Sequence, residues 1–133
     1  MDIYQIAYMS IRESIRKDFW QGILKLYILH QVSQYPIYGN KLRKQLQEMG
    51  YDISPGTLYP ILHNFENDGL CKSRIKIFKG RARKYYQITE QGKNFLEEMQ
   101  TKITAILKYL IINHTEEKKD SEIMESIDFS NNS

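Results

Sequence analysis

Thirteen residues, Lys72 to Lys84, carry seven Lys or Arg side chains and no acid. Cations set this close repel one another unless an anion lies among them. Lys79-Gly80-Arg81 in the middle suits a tight turn, with alternating basic and apolar residues on either side. The run reads either as a strand edge guarded by charge or as a basic hairpin. In the second case Lys76, Lys79, Gly80, Arg81, Arg83 and Lys84 would hold a phosphate backbone. Just upstream, Ser54 to Phe65 places Leu58, Ile61, Leu62 and Phe65 on one helical face. Thr57, Tyr59, Pro60, His63 and Asn64 fall on the other, with Ser54, Pro55 and Gly56 at the helix start. An uncharged face of short polar and aromatic groups suits contact with base edges, and Asn pairs well with adenine. His63 and Asn64 are otherwise ordinary exposed helix residues. A helix of this kind beside a basic hairpin favours nucleic-acid binding, with Tyr38 and Lys41 as further phosphate contacts.

Other chemistries lack their residues. There is no phosphate-cradling glycine loop and no nucleophile with an evident base, so no catalytic residue is assigned. Ser54 is accounted for as a helix cap. His30, His63 and His114 share no metal-ligand spacing with one another or with Cys71, so neither a metal nor a cofactor is expected. One cysteine excludes an intrachain disulfide, and its apolar setting reads as core. The first residues do not form a signal peptide, and no stretch has the ~20 apolar residues of a membrane span. A cytoplasmic protein without membrane partners is expected. The charge is uneven. Residues 1–114 hold 17 Lys and Arg against 10 Asp and Glu, whereas residues 115–133 hold two against six. A basic body suits a polyanion, while the acidic, aperiodic end reads as a disordered tail.

The elements that must position these residues follow from periodicity. Tyr4, Tyr8, Ile11 and Ile15 mark an amphipathic helix over residues 2–16. Asp18 suits the cap of a second helix, Phe19 to about Ser33, stopped by Tyr35-Pro36. Leu42, Leu46 and Met49 predict a third helix, ended by Gly50, and Ser54-Pro55 starts the fourth. Some irregularity is expected at Pro60. Asp68-Gly69 ends that helix, and strands Leu70 to Phe78 and Arg83 to Ile88 flank the turn. Thr89 caps a last helix reaching about Asn113. Its Leu96, Met99, Ile103, Ile106 and Leu110 form a heptad seam that needs a partner helix. The order is helix, helix, helix, helix, hairpin, helix. Four segments result: a dimer arm (1–18), a DNA-binding domain (19–89), a dimerisation helix (90–114) and the tail (115–133).

Four motifs in this order resemble the PadR family of transcription regulators. They are Trp20-Gln21-Gly22-Ile23-Leu24 leading to Pro36-Ile37-Tyr38-Gly39, then Ser54-Pro55-Gly56-Thr57-Leu58-Tyr59-Pro60-Ile61-Leu62, then Glu66 through Leu70, then Arg83 through Gly92. Together they span residues 19 to about 112. The resemblance implies a mainly α winged helix-turn-helix with a small β-hairpin. It further implies a homodimer held by its N- and C-terminal helices through Tyr4, Tyr8, Ile11, Ile15 and the heptad seam. Such a protein would repress nearby genes from a palindromic operator on double-stranded DNA, often until a small effector relieves it. The short last helix resembles the smaller family variants. Tyr59 would then donate its hydroxyl to a phosphate. Trp20 reads either as core or as the stacking surface for a small aromatic or hydrophobic effector. Asn40 and the longer first helix depart from the family pattern. A more distant resemblance, to winged-helix replication terminators, leaves an architectural DNA-binding role as an alternative. A third is a protein-interaction winged helix that does not bind DNA.

Overall fold

The computed structural model describes residues 10–112. Chain packing divides at Leu96, giving one unit up to Leu96 and a second from Glu97. In the first, α1 (Ile11–Gln34) is a single unbroken helix. Its N-cap is Ser10, whose Oγ accepts a hydrogen bond from the Glu13 N–H at 3.2 Å. The expected break at Asp18 does not occur. Arg16-Lys17-Asp18 contains neither Gly nor Pro, so nothing there stops the helix that Ser10 has started. Only the C-terminal half is buried, through Leu24, Ile28, Leu29 and Val32. Tyr4, Tyr8 and the expected acidic tail lie outside the described residues.

A two-residue strand, β1 (Ile37–Tyr38), leads into α2 (Gly39–Glu48), and α3 (Pro55–Asn67) follows a short connection. That connection is held at Ile53, which is buried and whose carbonyl accepts from Arg43 Nε at 2.9 Å. Pro60 leaves α3 continuous. The bond it cannot make would go to the carbonyl of Gly56, an exposed residue in the first turn. Leu58, Ile61, Leu62 and Phe65 fix α3 to a core shared with Ile28, Leu42, Leu46 and Tyr86. Each fully buried side chain of this kind contributes about 1.5–3 kcal/mol, so the outward face of α3 is rigidly presented.

The hairpin joins β2 (Cys71–Phe78) to β3 (Arg81–Ile88) in a three-stranded antiparallel sheet of order β1-β3-β2. The turn has two residues, not the three expected: Lys79 and Gly80, with φ of 50° and 74°. Positive φ at both positions matches the natural twist of the strands, and glycine takes the second at no steric cost. Pairing therefore continues to the last rung, Phe78 opposite Arg81. β1 pairs Ile37 with Tyr86 and Tyr38 with Tyr85. Thr89 opens α4 (Glu90–Leu107) as expected. Its hydroxyl accepts from the Gly92 N–H at 3.0 Å and donates to the Gly69 carbonyl at 2.6 Å, tying the end of α3 to the start of α4. These elements form a winged helix-turn-helix.

In the second unit the described residues are the rest of α4, residues 97–107, and a π-helical turn, Lys108–Ile112, where an uninterrupted helix to Asn113 was expected. Among the described residues, no helix is long and apolar enough to cross a membrane.

Candidate nucleic-acid interface

Alternation along the two paired strands separates their side chains into two faces. Cys71, Ser73, Tyr86 and Ile88 point with Ile37 toward the core, and Ile75, Ile77, Ala82 and Lys84 continue that side toward the tip. The outer face carries Lys72, Arg74, Lys76 and Phe78 on β2, and Arg81, Arg83, Tyr85 and Gln87 on β3. Five cations thus share one face with no acid on either strand. Aromatic rings are interleaved with them. The Arg83 guanidinium lies 4.4 Å from the centre of the Tyr38 ring, and Lys76 Nζ lies 5.8 Å from that of Tyr85. The two tyrosines meet edge-on at 5.4 Å. Each such contact holds a cation by the ring's negative face and leaves its charge unneutralised. A hollow of about 30 Å³ among Pro36, Lys72, Arg74, Lys76, Tyr85 and Gln87 has room for little more than one phosphate oxygen.

This places the expected wing residues unequally. Lys76, Arg81 and Arg83 are together on the outer face, with Lys79 and Gly80 at the tip. Lys84 is on the opposite side, 3.9 Å from Glu66 on α3, so its charge is partly answered within the chain. Lys72, Arg74, Tyr85 and Gln87 join the face without having been expected there. Alternation along β2 from Lys76 finds Lys72 and Arg74 whatever the turn, whereas Tyr85 and Gln87 fall on the face of Lys76 with a two-residue turn and not with a three-residue one.

The outer face runs into the helix pair through Tyr38. This residue is the N-cap of α2 and makes no side-chain capping bond. The first amides of α2 therefore have no side-chain cap, beside Arg83 and the exposed Lys41, which lies 5.1 Å from the Tyr35 ring. A helix N-terminus flanked by cations attracts anions. Gly39 comes next, and a Cβ there would stand 2.7 Å from the ring of Tyr59. Glycine is what lets α3 lay Tyr59 against the start of α2. Ser54, Pro55, Gly56, Thr57, Tyr59, Pro60, His63 and Asn64 are all exposed on α3. Ser54 does occupy the N-cap, yet its Oγ lies 3.1 Å from Thr57 Oγ1 and caps no amide.

Elsewhere, Trp20 packs at 4.6 Å against Tyr51, a residue with no distinguishing signal in the sequence. Around them Ile23, Leu24, Tyr27, Leu46 and Met49 line a cleft of about 200 Å³, lacking any charged side chain. Burial, with a smaller contribution from the Glu66 charge, pushes the Cys71 thiol up to about 12, so it stays protonated and a poor nucleophile. Among the described residues no group of three His, Cys, Asp or Glu could hold a metal ion. Of the expected dimer seam, Leu96 is corrected: it is 7% exposed and belongs to the chain's own core. Met99 and Ile103 are half-buried, while Ile106 and Leu110 are 57% and 68% exposed, as are Ile11 and Ile15 on α1 to a similar degree.

Residues 28–98 match the sequence profile of the transcriptional regulator PadR-like family. The chain belongs to that family. It is 40% identical over 82 residues to transcriptional regulator Rv3488 of Mycobacterium tuberculosis, covering 62% of this chain and 77% of that one. A PadR family transcriptional regulator from Eggerthella lenta superposes with a TM-score of 0.65 at 30% identity, over 79% of this chain and 93% of that one. A PadR-like transcriptional regulator from Bacillus cereus gives 0.64 at 30% identity, over 70% and 92%. The PadR match covers β1, α2, α3, the hairpin and the start of α4, which are the elements that assemble the surface described above. This PadR-family protein is a DNA-binding winged-helix transcription regulator, and its family is one of regulators, not enzymes.

Proposed function

We propose that this PadR-family regulator is a cytoplasmic homodimeric repressor of a palindromic operator. The observation that carries it is the continuous surface from the five-cation face of the wing, through Arg83 on Tyr38, to Gly39 and Tyr59 on α3. In this reading α3 enters the major groove. His63 and Asn64 face base edges, while Ser54, Pro55, Gly56, Thr57, Tyr59 and Pro60 lie along the groove wall. Lys76, Lys79, Arg81 and Arg83, with the backbone at Gly80, hold phosphates, joined by Lys72, Arg74, Tyr38 and Lys41. Lys84 contributes less because it faces Glu66. The exposed apolar residues of α1 and the end of α4, namely Ile11, Ile15, Ile106 and Leu110 with Met99 and Ile103, pair across a two-fold axis. A small aromatic or hydrophobic effector enters the Trp20–Tyr51 cleft, which has room for one or two rings.

The test is a mobility-shift titration with DNA upstream of the protein's own gene, beside transcript levels in a deletion strain. A shifted upstream fragment and rising transcripts are expected. A shift without a transcriptional change would favour the architectural role, and failure to shift any duplex would favour protein interaction.

A further inference from the structure

One residue on the basic face does not suit phosphate. Phe78 ends β2 with its ring 58% exposed and forms the last rung of the hairpin opposite Arg81. Lys79 Nζ lies 5.4 Å from the ring centre, and Lys76 and Arg83 form the next rung on the same face. An apolar ring of this size loses free energy in water and gains nothing from phosphate oxygens. It gains where cations are drawn to phosphates while an apolar surface lies between them. The minor groove has that chemistry, with a phosphate rail on each side and stacked bases beneath. It is also narrow, about 6 Å wide in standard duplex, so a hairpin tip must open it to enter. Apolar side chains set between base steps do so, unstacking one step and kinking the duplex toward the major groove.

We propose that Phe78 is a minor-groove wedge by which this protein bends its DNA. The proposal rests on the DNA-binding reading and adds a residue that determines specificity by deformation. The duplex kinks toward the groove holding α3, so the wing and α3 close on the same turn of DNA. Unstacking is easiest at pyrimidine–purine steps and hardest in A-tracts. The protein therefore prefers a TA or CA step beneath the wing, although no side chain hydrogen-bonds there.

The test uses the full chain and duplexes that it selects from a randomised pool. Each duplex is end-labelled for energy transfer and carries 2-aminopurine at successive positions. Wild type should shorten the end-to-end distance and brighten 2-aminopurine at one step per half-site. Phe78→Ala should abolish both signals. Its preference for a pyrimidine–purine step over an A-tract at that position should fall by about tenfold, the worth of one poorly accommodated base step. Phe78→Leu, which keeps an apolar wedge, should retain most of the bend. Ile75→Ala, on the opposite side of the wing and 72% exposed, should retain all of it. A wild-type complex that binds but stays straight and dark overturns the wedge alone, as does Phe78→Ala bending like wild type. Failure of wild type to bind any duplex overturns the wedge and the DNA-binding reading together.

Discussion

Gly39 and Tyr59 lie on different helices, yet the position of one depends on the other. A methyl group at residue 39 meets the far end of the Tyr59 side chain, which can swing away, and not backbone, which cannot. Gly39→Ala should therefore leave stability within about 1 kcal/mol of wild type, since alanine also favours the helix. Duplex affinity should fall about tenfold, the worth of ~1.4 kcal/mol, as Tyr59 leaves its place. Thermal melting read beside a DNA titration checks this, and an unfolded variant or an undiminished affinity would refute it. His63 and Asn64 make a different demand. Replacing either with alanine should cost roughly 1–3 kcal/mol on the selected site and much less on random DNA. Equal weakening on both would mean contact with backbone only. The outward face of α3 was legible because Leu58, Ile61, Leu62 and Phe65 fix which side is buried. The approach of Gly39 to Tyr59 was not, since packing between distant residues leaves no periodic trace. Leu96 shows the reverse failure. Its spacing fits the heptad, but apolar spacing does not say whether the covering surface comes from the same chain, and here it does.

Among the elements, the wing is governed by its turn. With Lys79 and Gly80 alone between the strands, alternation puts Lys76, Arg81 and Arg83 on one side and Lys84 on the other. Replacing the first three with alanine should weaken binding to all duplexes alike. The slope of log affinity against log salt should fall by about 0.9 for each phosphate that is no longer neutralised. Lys84→Ala should change that slope little, because its partner is Glu66. A slope unchanged in the triple variant, or reduced as much by Lys84→Ala alone, would place the electrostatic attraction elsewhere. The hairpin, the helix pair and the Thr89 cap were all legible, because each has a strong local signal in turn residues, apolar period or capping group. β1 was not, since two residues are too few to show a period and its existence depends on Tyr85 and Tyr86 as partners. The unbroken α1 was also hidden. A capping residue such as Asp18 starts a helix only where no helix already runs through it.

For the whole molecule the governing question is what covers the apolar residues of α1 and α4. Ile103→Asp together with Ile106→Asp would bury charge without a partner in any paired seam, so a wild-type dimer should separate into monomers. Light scattering reads this directly. A monomeric wild type, or a double variant that stays dimeric, would contradict the seam. Pairing matters to function because two α3 helices related by a two-fold axis can meet successive major grooves, about 34 Å apart. The most direct test of sequence-specific binding through α3 and the wing is a nuclease footprint of the full protein on the DNA upstream of its gene. It should show two protected half-sites with centres about one helical turn, or a small multiple of it, apart. Protection should vanish when Lys76, Arg81 and Arg83 are replaced together. Uniform protection without half-sites, or none at concentrations where the protein is dimeric, would contradict sequence-specific binding by this surface.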